Sequence, residues 1–425
     1  MKRVLQTLAT LAVLAAIAGA AIVFGGLFNV SARAGHWAIT PWLLHTTFRN
    51  SVELRAPAQS EVPDLSRDGM VALGAGHFDE GCRTCHAAPG HRQSAVAAAM
   101  VPRPPHVSEI DPSWKPNELH WIVDEGVKMS GMPHWPAPRT DDVWPVVAFL
   151  VEVRDMTGAE YDDLTARPEV PDDAPDGLAY CAMCHGLDGR SGNQWIPRLD
   201  IQPRAYLERT LLAYADGARS SGIMHVAASR FPEADLVELA AWFADRDPLA
   251  DPATRNLDAA LVEEGADLAS RGTRDVPACT SCHGPKAGPR AEDFPRLAGQ
   301  SQLYLAQQLR LWRDGDRGGA GRANLMAKSA QDLSDADIAA LAAYFASLSA
   351  TRTAVAERLP VARRPAEQGQ GAHPGRDRRK QRTTDRASSG PDAGPTRGGG
   401  RPHANGSARP GIRIFETVRS LRRRS

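Results

Sequence analysis

All six cysteines of the chain fall in three copies of one five-residue pattern: Cys82-Arg83-Thr84-Cys85-His86, Cys181-Ala182-Met183-Cys184-His185 and Cys279-Thr280-Ser281-Cys282-His283. Two thiols one helical turn apart can add to the two vinyl groups of a single porphyrin, and the adjacent imidazole then reaches the iron as its proximal ligand. A bare Cys-x-x-Cys also suits a redox dithiol or half a zinc site, but neither chemistry calls for a His directly after every pair. The pattern predicts three covalently bound haem c groups (iron). Cys82, Cys85 and His86 would hold the first, Cys181, Cys184 and His185 the second, and Cys279, Cys282 and His283 the third.

Haem attachment of this kind is extracytoplasmic chemistry, and the N-terminus agrees with it. Lys2 and Arg3 precede Val4–Phe28, a stretch without a charged residue. As a helix it would be about 37 Å long, enough to cross a ~30 Å hydrocarbon core. A cleaved signal peptide has a shorter apolar region, which favours a retained anchor, although Ala32-Arg33-Ala34 also fits a cleavage site. In either case the basic end stays cytoplasmic and the rest is exported. The expected location is the inner membrane, single-pass, with the haem domains periplasmic. Trp37 and Trp42 follow the apolar run and suit either the membrane interface or ordinary packing.

Composition divides the chain further. The net charge is zero, yet residues 351–425 hold 17 Arg and one Lys against six acidic residues, which leaves the remainder at −12. That remainder is an acidic globular body. The end of the chain is rich in Arg, Gly, Pro and Ser, lacks apolar periodicity, and reads as a disordered basic tail. On the exported side it has no nucleic acid to bind. The expected organisation is a membrane anchor or signal peptide (1–34), a connector (35–67) in which Pro57 and Pro63 discourage a long helix, and a first haem domain (68–155). A linker (156–175), a second haem domain (176–248), a third (249–350) and the tail (351–425) follow. Domains this small are short of apolar core, and a buried porphyrin supplies the missing hydrophobic mass.

The second and third domains are internal repeats. At an offset of 98, Pro197-Arg198-Leu199 maps onto Pro295-Arg296-Leu297, Tyr206-Leu207 onto Tyr304-Leu305, and Asp216-Gly217 onto Asp314-Gly315. After an insertion Met224 maps onto Met326, and Ala240-Ala241-Trp242-Phe243 onto Ala342-Ala343-Tyr344-Phe345. Glu233–Ala244 and Asp335–Ser347 read as amphipathic helices capped by Pro232 and Ser334.

A haem iron with one His is either an open catalytic centre or takes a second axial ligand, and methionine in that place raises the potential and favours electron transfer. Each domain offers a Met downstream of its His: Met132 in Gly131-Met132-Pro133, with Met129 in reserve and His134 nearby, then Met224, then Met326. The repeat match singles out Met224 and Met326, and Pro133 pre-sets the approach of Met132. The predicted metal ligands are therefore His86 with Met132, His185 with Met224, and His283 with Met326. His225 is a weaker candidate, and His77, His91, His106 and His120 have no ligand spacing. No catalytic residue is predicted.

These residues together resemble the class I cytochromes c. Gly131-Met132-Pro133-His134-Trp135 after the first motif is similar to single-haem members with Gly-Met-Pro-x-Trp, and the stretch Ala34–Ala56 to the lead-in of membrane-anchored ones. The second and third domains are similar to the tandem dihaem cytochrome c4 type through Cys181–Gly186, Cys279–Gly284 and Phe294–Gln300. Leu199-Asp200-Ile201-Gln202 departs locally from its repeat mate Leu297-Ala298-Gly299-Gln300. The resemblance implies an all-α fold: three small cytochrome c domains in tandem after a transmembrane helix. It also implies His/Met ligation and single-electron transfer between a respiratory or dehydrogenase complex and a periplasmic acceptor. The expected partners are redox proteins and the membrane. The expected role is that of a carrier, not an enzyme. The alternatives are a cytochrome subunit of a membrane dehydrogenase or oxidase, or a peroxidase or sulfur-oxidising haem enzyme with one open iron.

Overall fold

A computed structural model describes residues 1–248, 257–284, 292–319 and 321–350. Among them the chain is helical, with only isolated bridges, Val127 to Met132 and Arg219 to Gly318. The basic tail expected at 351–425 lies outside the described residues.

Helix α1 (Lys2–Gly25) ends at Gly26, which takes the left-handed conformation that only a missing Cβ makes easy. All of α1 is exposed, and it is the one described helix long and apolar enough to cross a bilayer, a test that a signal sequence also passes. The connector differs from the expectation. It holds a 17-residue helix, α2 (Ile39–Arg55), which stops just before Pro57. The prolines end this helix instead of preventing it, because their rings disfavour only the residues immediately ahead of them. Val52 of α2 is fully buried, Phe48 meets Trp114 edge-on, and the Arg49 guanidinium lies over the Trp114 ring while pairing with Asp111.

The first domain is built from α3 (Met70–Gly81), α4 (Arg83–His86), α5 (Ala95–Ala98), α6 (Pro116–Glu125) and α7 (Trp144–Glu152). Pro116 opens α6, and the Glu118 carboxylate accepts the Lys115 N–H at 2.9 Å, so Glu118 reaches back to cap the helix start. The expected linker also begins inside the fold. Helix α8 (Gly158–Leu164) buries Tyr161 between Phe78 and Phe149, and its hydroxyl donates to Asp79 at 2.8 Å.

The second domain comprises α9 (Leu178–His185), α10 (Arg204–Ala215), α11 (Gly222–Ala228) and α12 (Glu233–Ala244). The third comprises α13 (Ala259–Arg271), α14 (Thr280–His283), α15 (Gln302–Asp314), α16 (Ala323–Ala330) and α17 (Asp335–Ser347). Each of the three domains has its own apolar cluster. In the first and third, a long helix ahead of the Cys motif crosses the domain's last helix, with a glycine at the contact. A Cβ on Gly74 would fall 1.8 Å from the Pro145 carbonyl, and one on Gly265 2.1 Å from that of Ala340. The second domain has no such leading helix, since α9 begins three residues before Cys181, straight after Gly177.

The repeats meet in a reciprocal interface. The Gln300 side chain accepts the Arg198 N–H at 2.8 Å and donates to the Arg198 carbonyl at 3.0 Å. Gln202 does the same to Arg296, at 3.0 and 2.9 Å. Residue and partner exchange places between domains, which is the mark of an approximate two-fold axis.

Candidate haem sites

The first motif closes α3 and forms α4, the second lies in α9, and the third forms α14. The helical turn sets the two thiols of each pair side by side and fixes the His that follows. None of the six thiols is in a disulfide. Burial pushes the thiols of Cys82 and Cys181 up to about 12 and those of Cys184 and Cys279 to about 11. A redox dithiol or a thiolate metal site needs the opposite shift. Among the described residues, no three His, Cys, Asp or Glu side chains converge as a metal site would require.

Two of the three motif histidines make a hydrogen bond that the sequence reading missed. His86 Nδ1 lies 2.9 Å from the Pro105 carbonyl, and His283 Nδ1 lies 3.0 Å from that of Pro295. A carbonyl only accepts, so Nδ1 carries the proton and Nε2 keeps its lone pair, the tautomer a metal ligand requires. The Pro197 carbonyl faces His185 in the same way and favours its charged form, although His185 Nδ1 stays outside hydrogen-bond geometry. Burial holds all three rings below the ordinary 6.5, His185 at about 4. The available signal was the proline at matching places in the repeat, Pro197 and Pro295.

One cavity of about 460 Å³ brings the second and third sets together: its wall carries Cys181, Cys184, His185 and Met224, and also Cys279, Cys282, His283 and Met326. The two methionines sit on the short helices α11 and α16. His86 and Met132 lie off this cavity. Met132 is half-buried in a turn closed by the Val127 N–H donating to its carbonyl at 3.0 Å, whereas Met129 is 41% exposed. Four other histidines have separate partners. His225 is tied to the Tyr214 carbonyl at 2.7 Å, His134 to that of Trp135, His106 to that of His91, and His91 pairs with Asp162.

Two further cavity residues were not anticipated. Arg219 and Arg317 are repeat mates, 4% and 7% exposed, and both line the cavity. The Arg219 guanidinium donates to the hydroxyls of Tyr206 at 3.3 Å and Tyr304 at 3.1 Å, and Arg317 donates to Gln308 at 2.8 Å. Two buried cations beside an apolar cavity suit a large apolar ligand with carboxylate arms, which is the make-up of haem. With the His86 and His283 tautomers and the buried thiols of Cys82, Cys181, Cys184 and Cys279, the residues present fit that group.

The comparisons agree with this chemistry. Residues 69–150 match the family model for cytochrome c oxidase, cbb3-type, subunit III, and residues 262–349 that for cytochrome c. The chain is 38% identical over 190 residues to a thiosulfate dehydrogenase electron acceptor of Thiomonas intermedia, covering 43% of this chain and 86% of that protein. It is 35% identical over 173 residues to cytochrome c4 of Pseudomonas aeruginosa, covering 40% and 84%. Cytochrome c-554(548) of Halomonas halodenitrificans is 44% identical over 79 residues, 19% of this chain and 94% of that one. The chain belongs to the class I cytochromes c.

Proposed function

We propose that this cytochrome is a membrane-tethered, periplasmic electron carrier with three haem c groups, attached and ligated at Cys82, Cys85, His86 and Met132, at Cys181, Cys184, His185 and Met224, and at Cys279, Cys282, His283 and Met326. The observation that carries the reading is the single cavity whose wall holds two complete Cys, His and Met sets related by the repeat. Haem held there would supply reversible one-electron chemistry, and Met224 and Met326 would supply the sulfur ligands that raise its potential and favour electron transfer over substrate binding. The chain's own residues do the rest. The Pro105 and Pro295 carbonyls fix the tautomer and orientation of His86 and His283. Arg219 and Arg317 would hold the carboxylate arms, and the Leu199, Leu297 and Phe243 walls keep water out. The apolar α1 supports tethering, with the haem domains on the exported side, and the net −12 of residues 1–350 suits docking to basic partner surfaces.

A second reading is favoured by one finding: a relative is named as the electron acceptor of a thiosulfate dehydrogenase. This chain would then take its electrons as the partner of such a dehydrogenase. Optical and EPR spectra of the purified protein test the proposal, with Met132, Met224 and Met326 each replaced by Ala. Three haems per chain by pyridine haemochrome are expected, with a weak far-red band losing about one third of its intensity in each variant. A high-spin ferric haem in the unmodified protein, or ready binding of carbon monoxide on reduction, would overturn the carrier reading.

A further inference from the structure

The second motif is the one without a leading helix of its own, and α3 of the first domain lies against it. A Cβ on Gly76 would stand 3.4 Å from the Cys184 Sγ and 3.8 Å from the Met183 Cε, ordinary van der Waals contact, so the two helices lie close enough that a side chain longer than alanine at this position must displace one of them. The wall of the His185/Met224 cavity includes Leu73 and His77 of α3, with Pro145 of α7. His77 is 4% exposed and its Nδ1 is buried with no hydrogen-bond partner, while the ring sits beside Asp142, whose carboxylate and main chain favour its charged form against the larger opposing effect of burial.

We propose that the second haem site is composite: the first domain completes it with Leu73, Gly76 and His77, and His77 tunes the group bound between His185 and Met224. The inference rests on the tri-haem reading above. A buried ring nitrogen without a partner is costly unless the occupant of the site supplies one, and a donor in the wall of a redox centre stabilises its reduced, more negative state.

The seating of the first domain is specific along its whole length. Asp142 accepts from the Ser221 hydroxyl at 2.8 Å and the Gly222 N–H at 2.9 Å, at the start of the helix that carries Met224. Trp135 covers Gly222 so closely that a Cβ there would fall 2.2 Å from the indole nitrogen. At the N-terminal end of α3, Asn193 donates to the Gly69 carbonyl at 2.7 Å and Trp195 to that of Asp68 at 3.1 Å. At the far end, Arg230 donates to the Glu80 carbonyl at 3.0 Å and faces its carboxylate at 3.6 Å. Helix α3 is thus held from both ends by the second domain, while its continuation, α4, carries the first motif. One helix serves two haem sites.

The test is a spectroelectrochemical titration of the full chain that resolves its three one-electron components. Met224→His marks the second site as the component whose potential falls furthest. In His77→Leu that same component is expected to move downward while the other two stay. His77→Gln, which keeps a donor, restores part of the shift. Gly76→Leu, which must push α3 away from Cys184, moves the same component without touching His77. The proposal is overturned if the marked component is unmoved in both His77→Leu and Gly76→Leu, or if the shift falls on another component. Haem counting on each preparation separates this from the parent reading: fewer than three haems in the unmodified protein defeats the tri-haem assignment itself.

Discussion

His86 and His120 each donate a ring N–H to a main-chain carbonyl, at 2.9 Å to Pro105 and 3.0 Å to Thr140, but through different nitrogens. His86 uses Nδ1 and keeps Nε2, the atom at the tip of the ring, for a metal. His120 spends Nε2 on Thr140, leaves Nδ1 buried without a partner, and stacks on Trp144 at 4.0 Å. It is a structural residue. Burial holds its pKa below the ordinary 6.5, only partly offset by the bond to Thr140. An unfolded His120 therefore takes up a proton in a pH range where the folded one does not. The stability that this creates is complete above pH 6.5 and is lost as the pH falls through the lowered value. Urea midpoints measured from pH 7 downward should decline, and the decline should be shallower in His120→Gln. It should not vanish, since burial shifts His77 the same way. An unchanged slope would mean that His120 is solvated.

At the scale of elements, the crossing of α13 and α17 sets how closely the third domain packs. Gly265→Ala brings two opposing effects. Alanine favours the helix by about 1 kcal/mol. Against that, its Cβ would meet the Ala340 carbonyl oxygen at 2.1 Å and the Tyr344 Cβ at 2.7 Å, and neither atom can swing away as a flexible side chain would. Overpacking of this kind costs about 1–3 kcal/mol, so the clash wins. Melting followed by haem absorbance should show the third domain losing roughly 4–8 °C per kcal/mol of net cost. A variant as stable as the parent would show that the helices do not cross at this glycine. Elements such as these were unevenly legible in the sequence. The helices at 233–244 and 335–347 were read with their boundaries and caps, because apolar spacing and a Ser334–Asp337 capping box are local signals. The 17-residue α2 was missed because its partner face, Trp114 and Asp111, lies about sixty residues away. The same limit hid Gly76 and His77, whose meaning depends on a helix a hundred residues downstream. Arg219 and Arg317 were within reach, two residues beyond the matched Asp-Gly pairs.

At the scale of the described body, the second domain lies between two neighbours and is braced by both. One face receives α3 and the Asp142 carboxylate, and the other meets the third domain through the Gln202 and Gln300 exchange. Gln307 of the third domain also reaches Asp141 of the first at 2.7 Å, so all three domains meet near one point. The two glutamines allow this coupling to be measured. Each is buried, 6% and 3% exposed, and each forms two hydrogen bonds across the interface. Gln202→Ala or Gln300→Ala removes both and leaves the facing main-chain groups unpaired in a buried contact, at a cost of about 1–3 kcal/mol. Because the pairs are related by the repeat, the two costs should be similar, with Gln300→Ala the larger, since Gln300 also accepts the Ser301 N–H at 2.9 Å. Both pairs close the same interface, so once one is gone the second has less left to hold, and the double variant should cost less than the sum. Unfolding followed by haem absorbance should change from one shared transition of the second and third domains to two separated ones. Strict additivity, with the transitions still coincident, would mean that the domains are joined mainly by Arg219, Tyr206 and Tyr304, and that the glutamine exchange adds little to their cohesion.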